Sequence, residues 1–283
     1  MKFNPSMRQI TIREALLQAG RDIGDIEARM LLQHVLNVSQ AYLIVHCEQA
    51  LTADQARSFR LLTGRRTHGE PVAYLTGRRE FYSLDFTVTP AVLIPRPETE
   101  LMVDLALAQI PPGLSCKILD LGTGSGAIAL CIAKHRPVAE VTAVDFSADA
   151  VAIARTNAKQ LNVGNVRILE ADWFNGLAGE KFNLIVSNPP YVAAGDSHLT
   201  QGDLRFEPRM ALTAGGEGLD CLRSIIASAP AHLVAGGVLL LEHGYDQAEI
   251  CRQLLSEAGF GDVFSHPDLA GIMRVSGGSL IVS

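Results

Sequence analysis

The amino-acid sequence predicts an α/β protein: a doubly wound, mostly parallel sheet preceded by a small helical region and a β-hairpin linker. Two patterns in the chain carry this expectation. From Glu98 onward, short apolar runs of strand character alternate with stretches of helical spacing, the signature of strands joined by crossover helices. Residues 1–70 instead carry helix caps and helical periodicity with almost no strand signal. The length of 283 residues, with 48% hydrophobic and 19% charged side chains, suits one or two folded domains and excludes disordered or collagen-like chains. The expected domains are 1–77, 78–97 (the linker) and 98–283.

In the helical region, Thr11-x-x-Glu14 is a capping box ahead of Ala15, Leu16 and Leu17, with Gly20 as the expected stop. Between Ile26 and Leu36, Ile26, Met30, Leu31, Val35 and Leu36 recur at helical spacing and predict a second helix. Ser39 can cap a segment through Val45, and Thr52-x-x-Gln55 opens a run ending near Gly64 or Gly69. The texture changes at Glu80: Phe81, Tyr82, Phe86, Val88, Val92 and Ile94 cluster around Ser83-Leu84-Asp85 and predict a hairpin. Pro95-Arg96-Pro97-Glu98 closes it, because a proline cannot donate to a strand ladder.

Beyond the linker, strands are expected at Ile118–Leu121, Val141–Asp145, Val166–Leu169, Leu184–Ser187 and Val238–Glu242. Helices are expected at Ala127–His135, Ala148–Leu161 and Asp246–Ala258, with further β pattern at Val263–His266 and Leu280–Val282.

Charge and cysteine usage narrow the function classes. Residues 1–80 hold 11 basic and 8 acidic side chains, whereas residues 81–283 hold 13 and 22, so the larger part is strongly acidic. A surface of that sign is poorly suited to neutralising phosphates, so direct nucleic-acid binding is not expected, although a local basic patch stays open. The five cysteines are scattered without metal-binding or redox spacing, which predicts reduced, buried thiols and no metal site. No apolar run reaches the roughly 18 residues that a membrane-spanning helix needs. Met1-Lys2-Phe3-Asn4-Pro5 lacks the pattern of a secretion signal, so a cytoplasmic protein without a membrane partner is expected.

Two loops carry the chemistry. In Ile118-Leu119-Asp120-Leu121-Gly122-Thr123-Gly124-Ser125-Gly126 a buried strand runs into a helix through a G-x-G-x-G turn. Glycines there let the backbone turn sharply and let a ligand approach without meeting a Cβ. The dinucleotide fingerprint is the longer G-x-G-x-x-G, so the tighter form suits a ligand without a pyrophosphate. Asp145 ends the next strand at the spacing where a carboxylate accepts from ribose hydroxyls. After the third strand, Asp172-Trp173 can offer a carboxylate and an aromatic face to a purine. Gly122, Thr123, Gly124, Ser125, Gly126, Asp145, Asp172 and Trp173 are thus candidate cofactor residues. Their order on successive strand ends resembles the Rossmann-like class I methyltransferases that use S-adenosylmethionine. That resemblance implies a mostly parallel seven-stranded sheet, with the glycine loop along the methionine part, Asp145 on the ribose and the position after the third strand beside the adenine.

The second loop, Asn188-Pro189-Pro190-Tyr191, follows strand Leu184–Ser187 directly. Two prolines end the ladder, fix φ near −65° and hold Asn188 extended, making a stiff bracket. It suits a planar NH₂ on an sp² carbon, a poor nucleophile whose two hydrogens can be accepted by the Asn188 side-chain oxygen and the Pro189 carbonyl. Tyr191 can stack on the planar group. Orientation of this kind can supply roughly 7–11 kcal/mol of a barrier. A sulfonium methyl donor already carries a good leaving group and the excess proton can leave to solvent after transfer, so neither metal nor strong base is needed. Asn188, Pro189 and Tyr191 are the candidate catalytic residues, with Pro190 completing the substrate bracket. The bracket does not by itself separate a glutamine amide from the amino group of adenine or cytosine.

Resemblance outside the shared core narrows the choice. Gly69-Glu70-Pro71-Val72-Ala73-Tyr74-Leu75-Thr76-Gly77, Glu80-Phe81-Tyr82, Leu93-Ile94-Pro95-Arg96-Pro97-Glu98-Thr99-Glu100, Arg209-Met210-Ala211-Leu212 and Leu239-Leu240-Leu241-Glu242-His243-Gly244 are similar to segments of the bacterial peptide chain release factor glutamine methyltransferases, in that family's order. The resemblance implies S-adenosylmethionine as methyl donor and, as protein substrate, the glutamine of the Gly-Gly-Gln loop in class 1 release factors. It also implies that Asn188 touches the cofactor and that residues 1–77 recognise the substrate. A sister family that modifies a ribosomal-protein glutamine shares the bracket, and an adenine amino-methyltransferase and a non-catalytic binding protein are the remaining rivals. Arg96 and Glu98 are expected near the methionine end of the cofactor, and His243 is expected to be structural. Arg65-Arg66 and Arg78-Arg79 are read as solvated arginines that could also meet an acidic partner.

Overall fold

A computed structural model of the protein describes residues 9–281, so the amino-terminal pentapeptide and Val282 lie outside the described residues. The chain forms two compact units, one comprising the chain up to Gly77 with Gln201–Phe206, the other Arg78–Thr200 with the chain from Glu207 onward.

The smaller unit is helical: α1 (Ile12–Ile23), α2 (Asp25–Leu36), α3 (Gln40–Val45), α4 (Ala53–Thr67) and α5 (Val72–Thr76). Both capping boxes form. The Thr11 hydroxyl accepts from the Glu14 N–H while the Glu14 carboxylate accepts from the Thr11 N–H, and Thr52 and Gln55 do the same at α4. Gly20 does not stop α1; the helix runs on until Gly24, at φ 83°, breaks it. Ile26 and Met30 are exposed, and Ala28, Leu31 and Leu32 face the core with Ile12, Leu43, Leu51 and Phe59. Arg66, expected to be solvated, donates to Glu27 at 2.6 and 2.8 Å and to Asp203 at 3.2 Å, and Arg65 pairs with Glu70.

The larger unit opens on a hairpin, β1 (Arg78–Phe81) and β2 (Leu84–Thr87), turned by Tyr82 and Ser83 at φ 51° and 60°. Its strands stop at Thr87; Val92 and Ile94 are buried but lie outside any strand. The hairpin is part of the unit's own core, with Phe81 and Phe86 buried and Thr87 N–H donating to the Asn157 side chain at 2.8 Å.

Next come α6 (Glu100–Gln109), β3 (Lys117–Leu121), α7 (Ala127–His135), β4 (Glu140–Asp145), α8 (Ala148–Gln160), β5 (Val166–Glu170), β6 (Phe182–Ser187), α9 (Asp220–Ser228), β7 (Leu233–Glu242), α10 (Ala248–Glu257), β8 (Phe260–Pro267) and β9 (Met273–Leu280). The seven-stranded sheet has the order β5-β4-β3-β6-β7-β9-β8, parallel except for β9. The expected strand at Leu280–Val282 is therefore corrected to Met273–Leu280, of which only the last residue was foreseen.

Successive strand residues face opposite sides, as the pleat requires. Ile118, Leu184, Val186 and Leu240 pack under α6, α7 and α8, while Leu119, Leu121, Ile185, Leu239 and Leu241 pack under α9 and α10. Each such side chain, removed from water on a doubly covered sheet, contributes about 1.5–3 kcal/mol. The strand order reverses between β3 and β6, and the crevice beyond their carboxyl ends is where a ligand of an open α/β sheet sits. All five cysteines are free thiols, but Cys47 and Cys221 are only half-buried. No described helix is long and apolar enough to cross a membrane.

Candidate active site

Both chemistry-bearing loops leave the sheet at this switch point. The first follows β3. Gly122, Gly124 and Gly126 stand at φ 71°, 56° and 83°, which a side chain would strain, and nothing lies within 4 Å of where a Gly124 Cβ would sit. The turn is tied to the neighbouring strand by the Thr123 N–H, which donates to the Val144 carbonyl at 2.9 Å. Ser125 is buried within it, and its carbonyl accepts from Asn157 Nδ2 at 2.8 Å.

Asp145 closes the corner. One carboxylate oxygen accepts from the Gly124 N–H at 2.8 Å and the other from the Ser147 N–H at 2.9 Å. Burial pushes its pKa up, and those two backbone bonds oppose the rise. Each oxygen accepts one bond from the chain, which leaves lone-pair capacity for a ligand's hydroxyls. Beneath the loop, Asp120 is wholly buried and accepts from the Thr123 hydroxyl at 2.6 Å, while its other oxygen has no partner. Burial raises that carboxyl to about 7. Asp172 and Trp173 follow β5, and the Trp173 ring lies 3.6 Å from where a Gly122 Cβ would begin, so the indole flanks the glycine turn.

The second corner follows β6, whose last residue, Ser187, donates its hydroxyl to the Leu121 carbonyl at 2.7 Å and so ties the two strand ends together. Half-buried Asn188 donates its Nδ2 to the Thr99 hydroxyl at 3.2 Å. Its Oδ1 accepts from nothing among the described residues. Pro189 presents a carbonyl followed by a residue without an N–H. The Tyr191 hydroxyl donates to Glu242 at 3.4 Å, and burial, with the nearby carboxylate second, raises its pKa.

Behind Tyr191 the backbone is clamped. Its carbonyl accepts from Gln247 Nε2 at 3.1 Å, and Val192 pairs with Leu212 and Ala214 through bonds of 2.9 and 3.0 Å. Gly218, at φ 74°, passes so close that a Cβ there would sit 2.3 Å from the Tyr191 oxygen.

The structure thus brings Gly122–Gly126, Asp145 and Trp173 together at one corner, with Asn188, Pro189, Pro190 and Tyr191 on the adjoining strand end. Asp172 makes no side-chain hydrogen bond among the described residues. His243 is held between the Gly244 carbonyl and the Ser276 hydroxyl, each at 2.8 Å, and burial lowers its pKa, so it is a neutral structural group. Arg96 pairs with Glu207, whose other oxygen accepts from the Ile94 N–H at 3.2 Å.

No sequence motif gives Thr99, Glu242, Gln247 or Asp120 a role at the site. For Glu242 a signal existed: a carboxylate ending an apolar strand is an expensive residue to bury.

Comparison with known proteins adds a second line. The "Methyltransferase small domain" family model matches residues 99–218, and the "PrmC N-terminal domain" model matches residues 10–77. The release factor glutamine methyltransferase of Bordetella pertussis is 51% identical over 256 residues, covering 90% of this chain and 94% of that one. The protein of the same name from Escherichia coli K12 is 48% identical over 250 residues, covering 88% and 90%.

Among solved structures, a Pyrococcus furiosus methyltransferase superposes with a TM-score of 0.54 at 18% identity, covering 82% of this chain and 100% of that one. The Thermus thermophilus 16S rRNA N2 G1207 methyltransferase, in complex with AdoMet and guanosine, superposes at 0.53 with 21% identity over 72% and 49% of the chains. At those identities the likeness establishes the methyltransferase fold alone. Half-identity across nine-tenths of its length is a different matter, and on that ground the chain belongs to the release factor glutamine methyltransferase family.

Proposed function

We propose that this chain transfers a methyl group from S-adenosylmethionine to the side-chain amide nitrogen of the glutamine in the Gly-Gly-Gln loop of a bacterial class 1 release factor. The observation that carries this reading is the polarity of Asn188. Its Nδ2 is spent on Thr99, so Oδ1 is free to accept, and Pro189 offers a second acceptor on the same stiff corner. Two acceptors match the two hydrogens of a carboxamide NH₂.

The glycine corner fits the methyl donor: open space above Gly124, spare acceptor capacity on Asp145 and an unpartnered oxygen on Asp120. Gly122, Thr123, Gly124, Ser125, Gly126, Asp145, Asp172, Trp173 and Asn188 would hold it. Bound there, it supplies an electrophilic methyl on a sulfonium whose leaving group is a neutral thioether. Asn188 and Pro189 hold the amide nitrogen in line and stabilise the positive charge that develops on it. Tyr191, anchored by Glu242, walls the planar group. The surplus proton leaves to water, so the site needs no strong base, and neutral His243 is not called upon. Residues 1–77 supply the recognition surface for the release factor in this reading.

The test incubates the chain with methyl-labelled cofactor and, separately, a release factor, duplex DNA and ribosomal protein. Label on one glutamine of the release factor is expected. Label confined to DNA or to ribosomal protein overturns the assignment.

A further inference from the structure

The buried residues of α8 are Ala150, Val151, Ala154, Asn157 and Ala158, and Asn157 is the one polar side chain among them. It is 0% exposed, and its oxygen and both amide hydrogens are all engaged. Oδ1 accepts from the Thr87 N–H at 2.8 Å. Nδ2 donates to the Thr87 carbonyl at 3.0 Å and to the Ser125 carbonyl at 2.8 Å. An N–H can only donate and a carbonyl can only accept, so this carboxamide has a single way round. One side chain thus joins the end of β2, 70 residues away, to the glycine turn, 32 residues away.

An apolar residue in that place would spare the fold the cost of burying an amide. What Asn157 adds is control over a peptide unit that its own covalent structure leaves free to turn. Gly126 stands at φ 83°, and glycine takes either sign of φ, so the Ser125–Gly126 peptide rotates without a Cβ penalty. Two bonds hold it. The Gly126 N–H donates to the Thr123 carbonyl at 2.8 Å, and the Ser125 carbonyl is drawn toward α8 by Asn157. Turned over, the peptide would exchange N–H for C=O along the loop and change the groups a ligand meets. We infer that Asn157 is a positioning residue for the methyl donor: anchored on Thr87 of the hairpin, it holds the Ser125 carbonyl toward α8 and keeps the glycine turn in its cofactor-binding shape. The inference rests on the reading of this corner as the S-adenosylmethionine site. Since one amide bonds both partners, a ligand that settles the turn also settles the hairpin end.

The experiment titrates S-adenosylhomocysteine by calorimetry into the native chain, Asn157→Ala, Asn157→Asp and Gln160→Ala, with steady-state kinetics and thermal melting beside it. Gln160→Ala is the control: it removes the bond from the Thr87 hydroxyl to Gln160 Oε1, at 2.9 Å, without touching the turn. Asn157→Ala should weaken binding about 10–100-fold, the range for losing a group that supports a binding element from behind. The cofactor KM should rise with it, while kcat at saturation and the KM for release factor stay near native. Asn157→Asp has the same shape and keeps the acceptor for Thr87 but loses both donors, so it should bind no better than the alanine variant. Gln160→Ala should bind as the native chain does. In the native chain, S-adenosylhomocysteine should slow hydrogen exchange at the Thr87 amide about tenfold more than at the other hairpin amides.

A side chain that only fills the core would lower the melting temperature and leave cofactor affinity alone. Native affinity in either Asn157 variant, an equal loss in Gln160→Ala, or a Thr87 amide indifferent to the ligand would overturn the inference. Should the Asn157 variants fail to fold, the exchange measurement on the native chain decides alone. If the native chain itself binds no S-adenosylhomocysteine, the reading of the corner fails. If it binds and the variants match it, only the positioning role fails.

Discussion

The two corners of the switch point end neighbouring strands, yet they are built on opposite principles. The corner after β3 turns on three left-handed glycines, with each Asp145 oxygen accepting one backbone N–H and Asp120 buried beneath it with one oxygen unpartnered. The corner after β6 turns on two prolines, and beside it Glu242 is buried with one oxygen unpartnered while Asn188 keeps a free acceptor. Both corners carry a buried carboxylate with an unpartnered oxygen, Asp120 under the first and Glu242 beside the second, so the contrast lies in the backbone: permissive at the glycines, fixed at the prolines. If the proposed roles hold, the stiff corner is the one that orients the poor nucleophile, and the acceptor Asn188 leaves free belongs to that task.

Four substitutions and one control test that contrast. The largest effect belongs to the proline corner: Asn188→Ala should lower kcat by about 10²–10³ while leaving cofactor affinity nearly unchanged, as for loss of one preorganised polar group at a reacting centre. Steady-state kinetics beside calorimetry check it, and an unchanged rate would remove Asn188 from the mechanism.

Next is the cost of Glu242, whose carboxyl burial raises from 4.5 to about 7. An acid raised in the folded state is favoured while protonated, so its contribution is greatest below the ordinary carboxylate range and declines until about pH 7. Glu242→Gln should therefore gain stability over the native chain as pH climbs, by roughly 3 kcal/mol at the plateau. Denaturant melts at pH 5 and pH 8 decide the matter; a gap that does not widen would mean the carboxylate is not strained.

Gly218→Ala, which drives a Cβ into the Tyr191 carbonyl at positive φ, should cost about 2–3 kcal/mol of stability. Gly195→Ala, with nothing within 4 Å, is its control and should be near neutral. Smallest, and on the glycine corner, Asp145→Ala should weaken cofactor binding by about 1–3 kcal/mol with little effect on kcat at saturation. If titration calorimetry gives equal affinities, Asp145 only braces the loop.

How far the sequence discloses this arrangement depends on the element. α7 lies at Ala127–His135, as its spacing predicts. The strands β3, β4, β5 and β6 fall within two residues because buried apolar runs bounded by turns have few other readings, whereas β7 begins at Leu233, five residues before the expected Val238. α6 went unread. Leu101, Met102, Val103, Leu105 and Leu107 crowd its sequence, which blurs the period of a helix whose buried side is Met102, Val103 and Ala106. β9 hid for the opposite reason: Ser276-Gly277-Gly278-Ser279 reads as a turn, yet pairing with β7 and β8 on either side holds it extended. In α2, Ile26 and Met30 fit the helical period and still face solvent, because periodicity locates an apolar stripe without showing that anything covers it.

Site residues divide the same way. Gly122–Gly126, Asp145 and Asn188–Tyr191 sit next to strand ends and are visible as motifs. Thr99 lies 89 residues from the Asn188 it contacts, and Glu242 lies 51 from Tyr191; only folding brings them together.

The most direct measurement is a crystal structure of the chain with a release factor and S-adenosylhomocysteine. The glutamine amide nitrogen should lie within about 3 Å of both the Asn188 side-chain oxygen and the Pro189 carbonyl, with Nδ2 still on Thr99. A glutamine held by other groups, or an Asn188 side chain turned with its nitrogen toward the substrate, would contradict it.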